Sequence, residues 1–513
     1  MSSPSPTIVS APGKVLVAGG YLVLDPAYRG VVVSTSSRFY SVVQDAAGGA
    51  AANRIVVRSP QFTDAAWQYD VGFEGGLVSV EPSSGSASKN KFVHLALLHT
   101  LKLIAEIRES KGAATEPLAA ALTSGIDIAI VGDNDFYSQR EKLSSLGLQP
   151  TLSDLSSLPP FSPIGVPLAS VHKTGLGSSA ALITSLVSAL LLHLRAIDAE
   201  RFADGASADR RLAHHAAQFV HCLAQGKVGS GFDVAAAIFG SHMYKRFGEG
   251  VIRPLLGMEG AQKLYPVLSP TNTAWDYVAE SFTLPPFVRL ILGDVSIGSE
   301  TPSMVKDVLR WRSASGTAEA ANVLWNEINE SNQGLANALQ KLTYLASQIR
   351  DEYEATVTEL SSLPPSEVWS PKHGVTPLQT PDGSRTVAAG LYEVHQISEN
   401  IRKLMRTMGQ AAKVDIEPPE QTRLLDTCMS IDGVVGGGVP GAGGYDAIWL
   451  LVLDPPAAAD PPVARVERAW SEYERANAGV SVSPLLARES EEQGARVEAL
   501  GGVPGLRDAV AAR

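Results

Sequence analysis

The chain has 513 residues, 45% of them hydrophobic and 19% charged. That is longer than one hydrophobic core usually serves and too apolar for wholesale disorder. With 42 Lys and Arg against 53 Asp and Glu the net charge is −11, so the molecule's field repels polyanions, and nucleic acid and anionic membranes are excluded as general partners. A phosphorylated ligand would need a pocket with its own cations and backbone donors.

In chain order, the first 60 residues read as strands: Val15 to Val17, Tyr21 to Leu24, Val31 to Thr35, Tyr40 to Val43 and Ile55 to Arg58 are short β-branched or aromatic runs broken by glycine. Beyond the Ser/Gly-rich stretch Glu81 to Ser88, the spacing of Val93, Leu97, Ile104 and Ile107 predicts a helix over Phe92 to Arg108, and Ile126 to Val131 returns to a strand. Leu143 to Pro163, rich in Ser, Leu and Pro, reads as a mobile surface loop without chemistry. Two helices follow, one from about Ser179 and one from Arg210 to Gln225 that Gly226 is placed to end. The most membrane-like run, Ala180 to Leu194, carries Thr184, Ser185, Ser188 and His193 and is shorter than a span. His214, His215 and His221 lie on the second helix; 214 and 215 should point to different faces, and packing or polar contacts are the expected use rather than metal ligation.

Leu268 to Pro286 reads as a boundary, followed by a strand at Phe287 to Gly293 and helices over Pro302 to Trp311, Ala318 to about Glu359 with breaks, and Tyr392 to Met408, whose Ile397, Ile401, Leu404, Met405 and Met408 form a core stripe. Pro364 to Gly383 reads as a Pro-rich insertion and Ala447 to Leu453 as an interior strand. Past Asp454, Ala, Pro, Glu and Arg dominate. The expectation is a peripheral, partly disordered tail over 456–513, with a possible helix from Val463 to Ala476, dispensable for chemistry. Cys222 and Cys428 fit neither a disulfide framework nor a zinc spacing, which points to a reducing, cytoplasmic setting. Met1 to Thr7 carries no basic signal-like segment, and Val510-Ala511-Ala512-Arg513 is not a peroxisomal ending.

Four segments carry chemistry. Gly175-Leu176-Gly177-Ser178-Ser179-Ala180-Ala181 sets glycines and hydroxyls where an apolar helix begins, so backbone N–H groups and the helix dipole converge as a phosphate cradle, with Lys173 as a nearby cation. The spacing is neither a Walker loop nor a dinucleotide fingerprint. Gly226 to Ala235 puts Asp233 behind a glycine-rich turn, where it is either a helix cap or a catalytic carboxylate. Gly436 to Asp446 is too glycine-dense for turn duty alone, which suggests close backbone approach to a ligand. In Ala11 to Asp25, Lys14 stands alone in an apolar strand, either snorkelling or functional.

In this content and succession the segments resemble the GHMP kinases, the family of galactokinase, homoserine kinase, mevalonate kinase and phosphomevalonate kinase, from about Ala11 to Asp454. The run AGGYLVLD from Ala18 to Asp25, Lys173 in HKTGLGSS and Lys227 in GKVGSGFD look most like the phosphomevalonate kinase branch in its longer fungal type. Gly19-Gly20-Tyr21 stands where the mevalonate kinase and galactokinase branches usually show Gly-Glu-His.

The resemblance implies a two-domain α/β (α+β) fold, with domains over 1–275 and 285–455 and the active site in the cleft between them. It also implies transfer of the ATP γ-phosphoryl group to 5-phosphomevalonate, giving 5-diphosphomevalonate and ADP on the mevalonate route to isoprenoids and sterols. By position, Lys14, Lys173 and Asp233 take catalytic places, and Gly175, Leu176, Gly177, Ser178, Ser179 and Ala180 hold ATP phosphates. Lys14, Tyr21, Ser230, Gly443 and Gly444 contact substrate, and Ser178 or Ser179 lies near Mg²⁺. The second metal ligand, adenine pocket and oligomeric state are not assigned. The rivals are a mevalonate kinase-like enzyme and a non-catalytic sensor of the same fold.

Overall fold

The computed structural model describes all residues except 1–4, 47–51, 75–76, 85–88, 113–115, 257–261, 297–303, 365–386, 457, 493 and 512–513. The Pro-rich insertion from Pro364 therefore lies almost wholly outside the described residues.

The chain folds as a mixed α/β protein on two sheets. Thirteen strands are described: β1 (Thr7–Ala18), β2 (Arg29–Asp45), β3 (Arg54–Arg58), β4 (Ala66–Glu74), β5 (Leu77–Pro82), β6 (Ile126–Gly132), β7 (His242–Lys245), β8 (Val278–Ser281), β9 (Val288–Ser296), β10 (Val434–Gly438), β11 (Ala447–Leu453), β12 (Ser481–Pro484) and β13 (Arg496–Val497). The first sheet runs β13-β1-β2-β6-β3-β4-β5, with β7 pairing both β2 and β8, and the second runs β10-β11-β9-β12. Every pairing is antiparallel except β3 with β6.

The runs at Val31 and Tyr40 are one 17-residue strand, because the polar stretch between them, Ser34 to Arg38, is largely buried in the sheet. Tyr21 to Leu24 is no strand: Gly19 (φ 107°) and Tyr21 (φ 63°) turn the chain, and Leu22–Leu24 closes a 3₁₀ turn. The helices Lys91–Ser110 and Ser178–His193 pack against the first sheet, and Ala208–Gln225 packs on both of them. The helix Ser178–His193 buries twelve side chains, which explains its near-continuous apolar sequence. The boundary stretch from Leu268 contributes β8 to the first sheet.

Helices Met304–Ser313, Ala318–Gln348, Arg350–Leu360 and Val387–Ala412 occupy the predicted places, with Met405 and Met408 in a core with Tyr21, Trp325 and Ile416. One apolar cluster runs continuously from β1 through Leu335 and Leu342 to Trp449, so both sheets share a core.

Two expectations fail here. Leu143 to Pro163 is packed rather than loose: helices Arg140–Ser145 and Leu152–Ser157 bury Leu143, Leu155 and Leu158 together beside Leu486, and Phe161 meets Tyr40 at 5.3 Å. Nor is the region after Asp454 peripheral. Helix Pro462–Ala476 covers the second sheet, β12 pairs β9 within it, and β13 crosses to pair β1 in the first. Partly buried polar contacts fix the crossing: Leu486 N donates to Asp135 Oδ1 (2.7 Å), Leu290 N to Glu489 Oε2 (2.7 Å) and Ser10 Oγ to Glu498 Oε1 (2.6 Å).

Candidate active site

The site begins at an irregularity in β1. The β1–β2 register shifts between Pro12 and Lys14, and such bulges re-aim a side chain. Lys14 faces the glycine loop ahead of helix Ser178–His193: its N donates to Leu176 O (2.9 Å) and its Nζ to Gly175 O (2.8 Å). Gly175 (φ 78°) and Gly177 (φ 80°) both take left-handed backbone, and a Cβ at Gly177 would stand 3.0 Å from Lys14 Cε. Glycine is required there by conformation and by space. Ala180 N and Ala181 N already donate to Gly177 O (both 3.1 Å). Ala180 is thus committed within the turn, and the N–H groups of Ser178 and Ser179 remain at the positive tip of the helix for an anion.

The second wall is helix Phe232–Phe239. Its N-cap is Gly231 (φ 84°), not Asp233, which lies in the first helical turn where the dipole favours a carboxylate. Asp233 Oδ1 accepts from Val234 N (2.9 Å), and Oδ2 lies 3.8 Å from His221 Nδ1. His221 Nε2 in turn lies 3.1 Å from Ser179 Oγ. The phosphate loop and the acid are therefore linked through a histidine for which the sequence suggested packing or polar contacts but named no partner. Burial pulls the Lys14 ammonium below the usual lysine value, and the Asp233 carboxylate pulls it back up; the ammonium, over the Phe232 ring at 5.6 Å, sits in a site that strengthens charge interactions.

Ser230, Asp233 and His221 line a cavity of about 350 Å³ that also presents Lys227, Arg246 and Arg312. Arg246 donates to Leu24 O (2.6 Å) and Gly229 O (2.8 Å) and pairs with Glu249 (2.9 Å); Arg312 pairs with Asp25 (2.7 Å). Lys227 is exposed and has no ion pair among the described residues.

Other predicted residues stand elsewhere. Lys173 is exposed at the start of the loop, held by a bridge to Tyr137, with no ion pair among the described residues. Tyr21 is 3% exposed and its hydroxyl is spent on Ala442 O (2.7 Å), so it joins the β1 turn to the C-terminal glycine loop. Two of that loop's glycines are held by packing, since a Cβ at Gly443 would stand 2.1 Å from Ile416 O and Gly444 N donates to Ile416 O (2.9 Å), whereas at Gly441 a Cβ would meet nothing within 4 Å. His214 and His215 do not point apart; both rings pack against Trp275 and Tyr277, with His215 stacked on Trp275 at 4.2 Å.

Among the described residues no group of three His, Cys, Asp or Glu could hold a metal by itself. The oxygens beside the loop, the Ser178 and Ser179 hydroxyls and the Asp233 carboxylate, are hard donors that fit a Mg²⁺ arriving with a triphosphate and needing few protein ligands. No described helix is long and apolar enough to cross a membrane.

The GHMP kinases N terminal domain model matches residues 163–241, which hold the loop, His221 and Asp233. The chain is 36% identical over 503 residues to the peroxisomal phosphomevalonate kinase of Arabidopsis thaliana, covering 94% of each. It is also 36% identical over 489 residues to the phosphomevalonate kinase of Aspergillus fumigatus, covering 88% of each. In fold it is similar to the Lin0012 protein of Listeria innocua (TM-score 0.59, 14% identity, 96% of this chain and 99% of that one). It is similar too to the Streptococcus pneumoniae phosphomevalonate kinase solved with phosphomevalonate and AMPPNP (TM-score 0.53, 16% identity, 95% and 99%).

Proposed function

The chain belongs to the phosphomevalonate kinases of the GHMP kinase family, and from that premise we propose that it transfers the γ-phosphoryl group of ATP to 5-phosphomevalonate, giving 5-diphosphomevalonate and ADP. The observation that carries the reading is the convergence of Lys14, the helix tip at Ser178 and Ser179, and Asp233 beside a cavity large enough for a small acceptor. The division into 1–275 and 285–455 is part of the reading, supported by the first sheet drawing β1–β7 from the first range and the second sheet β9–β11 from the second, while β8 (Val278–Ser281) lies between the ranges in the first sheet and the strap after 456 joins both.

The acceptor sets what the residues must do. A phosphate monoester has a second pKa of about 6, so most acceptor molecules carry an ionised oxygen at neutral pH. Proton removal is then a minor problem, and the main one is bringing that dianion against a triphosphate. Lys14, whose Nζ donates to Gly175 O, would supply the positive charge that neutralises the transferring phosphates. The N–H groups of Ser178 and Ser179 receive the nucleotide phosphates, and Lys173 reaches them from solvent. A hydroxyl of Ser178 or Ser179 would hold Mg²⁺, which when bound offsets phosphate charge. Asp233 orients Lys14 or the acceptor.

Purified protein should release ADP with phosphomevalonate and not with mevalonate, galactose or homoserine; turnover restricted to one of the latter would reject the acceptor. Lys14→Met and Lys173→Met should each lower kcat more than Asp233→Asn. If Asp233→Asn were the most damaging and raised pH did not rescue it, general-base catalysis would replace this division of roles. A cytoplasmic setting is supported by two unpaired, buried cysteines.

A further inference from the structure

We propose that His221 is a positioning residue that locks the Ser179 hydroxyl so that its oxygen lone pairs, rather than its hydrogen, are offered to the nucleotide's cation. The inference rests on the Mg²⁺–ATP reading above and adds to it the choice between the two serines. His221 is 2% exposed, on the inward face of helix Ala208–Gln225. Three groups surround its ring. Gln225 Nε2, one turn further along the same helix, lies 3.1 Å from His221 Nε2. Ser179 Oγ lies 3.1 Å from the same nitrogen. Asp233 Oδ2 lies 3.8 Å from Nδ1, beyond hydrogen-bond length but within electrostatic reach.

These contacts decide the ring's tautomer. The Asp233 carboxylate beside Nδ1 favours the tautomer that carries its hydrogen there, and Nε2 then accepts, from the Gln225 amide turned with its nitrogen to the ring. Because Nε2 accepts, the Ser179 hydroxyl shares it as a second donor in a three-centre arrangement. Its one hydrogen is then spoken for and both its lone pairs remain. A hydroxyl held this way is an oxygen ligand fixed in orientation, as outer partners of metal ligands usually provide. Ser178 has no side-chain partner among the described residues, so nothing comparable fixes it. The same imidazole faces Asp233 across 3.8 Å, an electrostatic contact, while the carboxylate itself is held by Val234 N.

The test measures ADP affinity by titration calorimetry with and without Mg²⁺, a readout independent of turnover. For the unmutated protein Mg²⁺ should tighten ADP. In His221→Ala that enhancement should fall at least about tenfold, while metal-free ADP affinity stays within about twofold. His221→Gln, whose side-chain oxygen can take the Nε2 place, should recover most of it, whereas His221→Asn should not. Gln225→Ala, at an exposed position and safe for folding, should lose the enhancement severalfold by releasing the tautomer. The double variant Ser179→Ala/His221→Ala should be no worse than Ser179→Ala alone. An unchanged enhancement in both His221→Ala and Gln225→Ala, or additive effects in the double variant, would overturn the proposal. So would an equal loss of metal-free affinity, which marks a merely structural role. If Mg²⁺ had no effect on the unmutated protein, the reading beneath would fail and this proposal with it.

Discussion

Gly494 lies in the crossing between β12 and β13, and its backbone is pressed against the end of helix Phe232–Phe239 opposite Asp233. A Cβ there would stand 2.2 Å from Ile238 O, 2.3 Å from Ile238 C and 2.6 Å from Gly240 N. All three are main-chain atoms, so no side chain can swing aside, and the strap must retreat by on the order of 1 Å. That movement strains Ala495 N to Ile238 O (3.1 Å) and loosens two guanidinium contacts, Arg38 Nη2 to Gly494 O (2.6 Å) and Arg210 Nη1 to Ala495 O (2.6 Å). Arg38 is 2% exposed and Arg210 1%, so neither can turn to water instead. Overpacking costs about 1–3 kcal/mol and each charge-assisted bond about 1.5–3 kcal/mol when fully lost. Gly494→Ala should therefore destabilise by about 3–6 kcal/mol if the bonds are partly kept, a large share of a typical domain's ~5–15 kcal/mol. The assay is urea unfolding followed by tryptophan fluorescence, with ADP release measured in parallel. Gly501→Ala, where a Cβ meets nothing within 4 Å, is the control and should shift stability by less than about 0.5 kcal/mol. If Gly494→Ala matched that control, the claim that the strap is clamped to the Asp233 helix would be wrong.

Other outcomes follow from the same geometry. Truncation before Ala457 removes β12, β13 and their polar contacts, so the product should be insoluble or lack a cooperative unfolding transition; a soluble, active truncation would contradict the described strap. Gly443→Ala should cost several kcal/mol, because its Cβ would meet Ile416 O at 2.1 Å with φ at 83°, whereas Gly441→Ala, with open space at φ 66°, should cost about 1 kcal/mol; equal unfolding midpoints would refute this. Burial pushes His215 and His242 down to about 4. Between that value and the unfolded ~6.5 the unfolded chain holds more protons, so stability present above pH 6.5 is lost on acidification, by up to about 3 kcal/mol per histidine. Asp133, pushed up to about 7 by burial, works in the opposite direction, its folded form holding the extra proton below that pH. The urea midpoint should fall from pH 7 to pH 5, and more steeply in Asp133→Asn; a flat or rising profile would refute the balance.

Where a segment's structure is decided by its own residues, the sequence was readable. Gly226 ends its helix in left-handed backbone (φ 71°), and Ala447–Leu453 is the predicted interior strand. Where distant chain decides, the pattern misled. The apolar run Tyr21 to Leu24 has strand composition, yet two positive-φ residues turn it and Ala442 O holds its tyrosine. β13 is two residues long, too short for any periodicity, and is fixed by Val9, Ser10 and buried arginines. In the glycine loop near the C-terminus, the packing that demands glycine at Gly443 was hidden, because Ile416 O is invisible in its local sequence. At the site, Lys14, the phosphate loop and Asp233 were legible as motifs, while His221 was not, since its partners lie 42 residues back and 12 ahead.

The pairing of the chain's end with its beginning also bears on how the protein is made. Ser10 and Glu498 are 488 positions apart. At roughly 5–20 residues per second, a ribosome takes on the order of 25–100 s to bring the second within reach of the first. Throughout that interval β1 can pair with β2 but has an unoccupied outer edge, the kind of surface on which nascent chains associate. The helix carrying Asp233 is meanwhile built without the backbone that later braces its far end. The nascent polypeptide should therefore depend on chaperones until β13 emerges, and a ribosome stalled shortly before it would hold a chain in which Val9 and Ser10 still lack their outer partner.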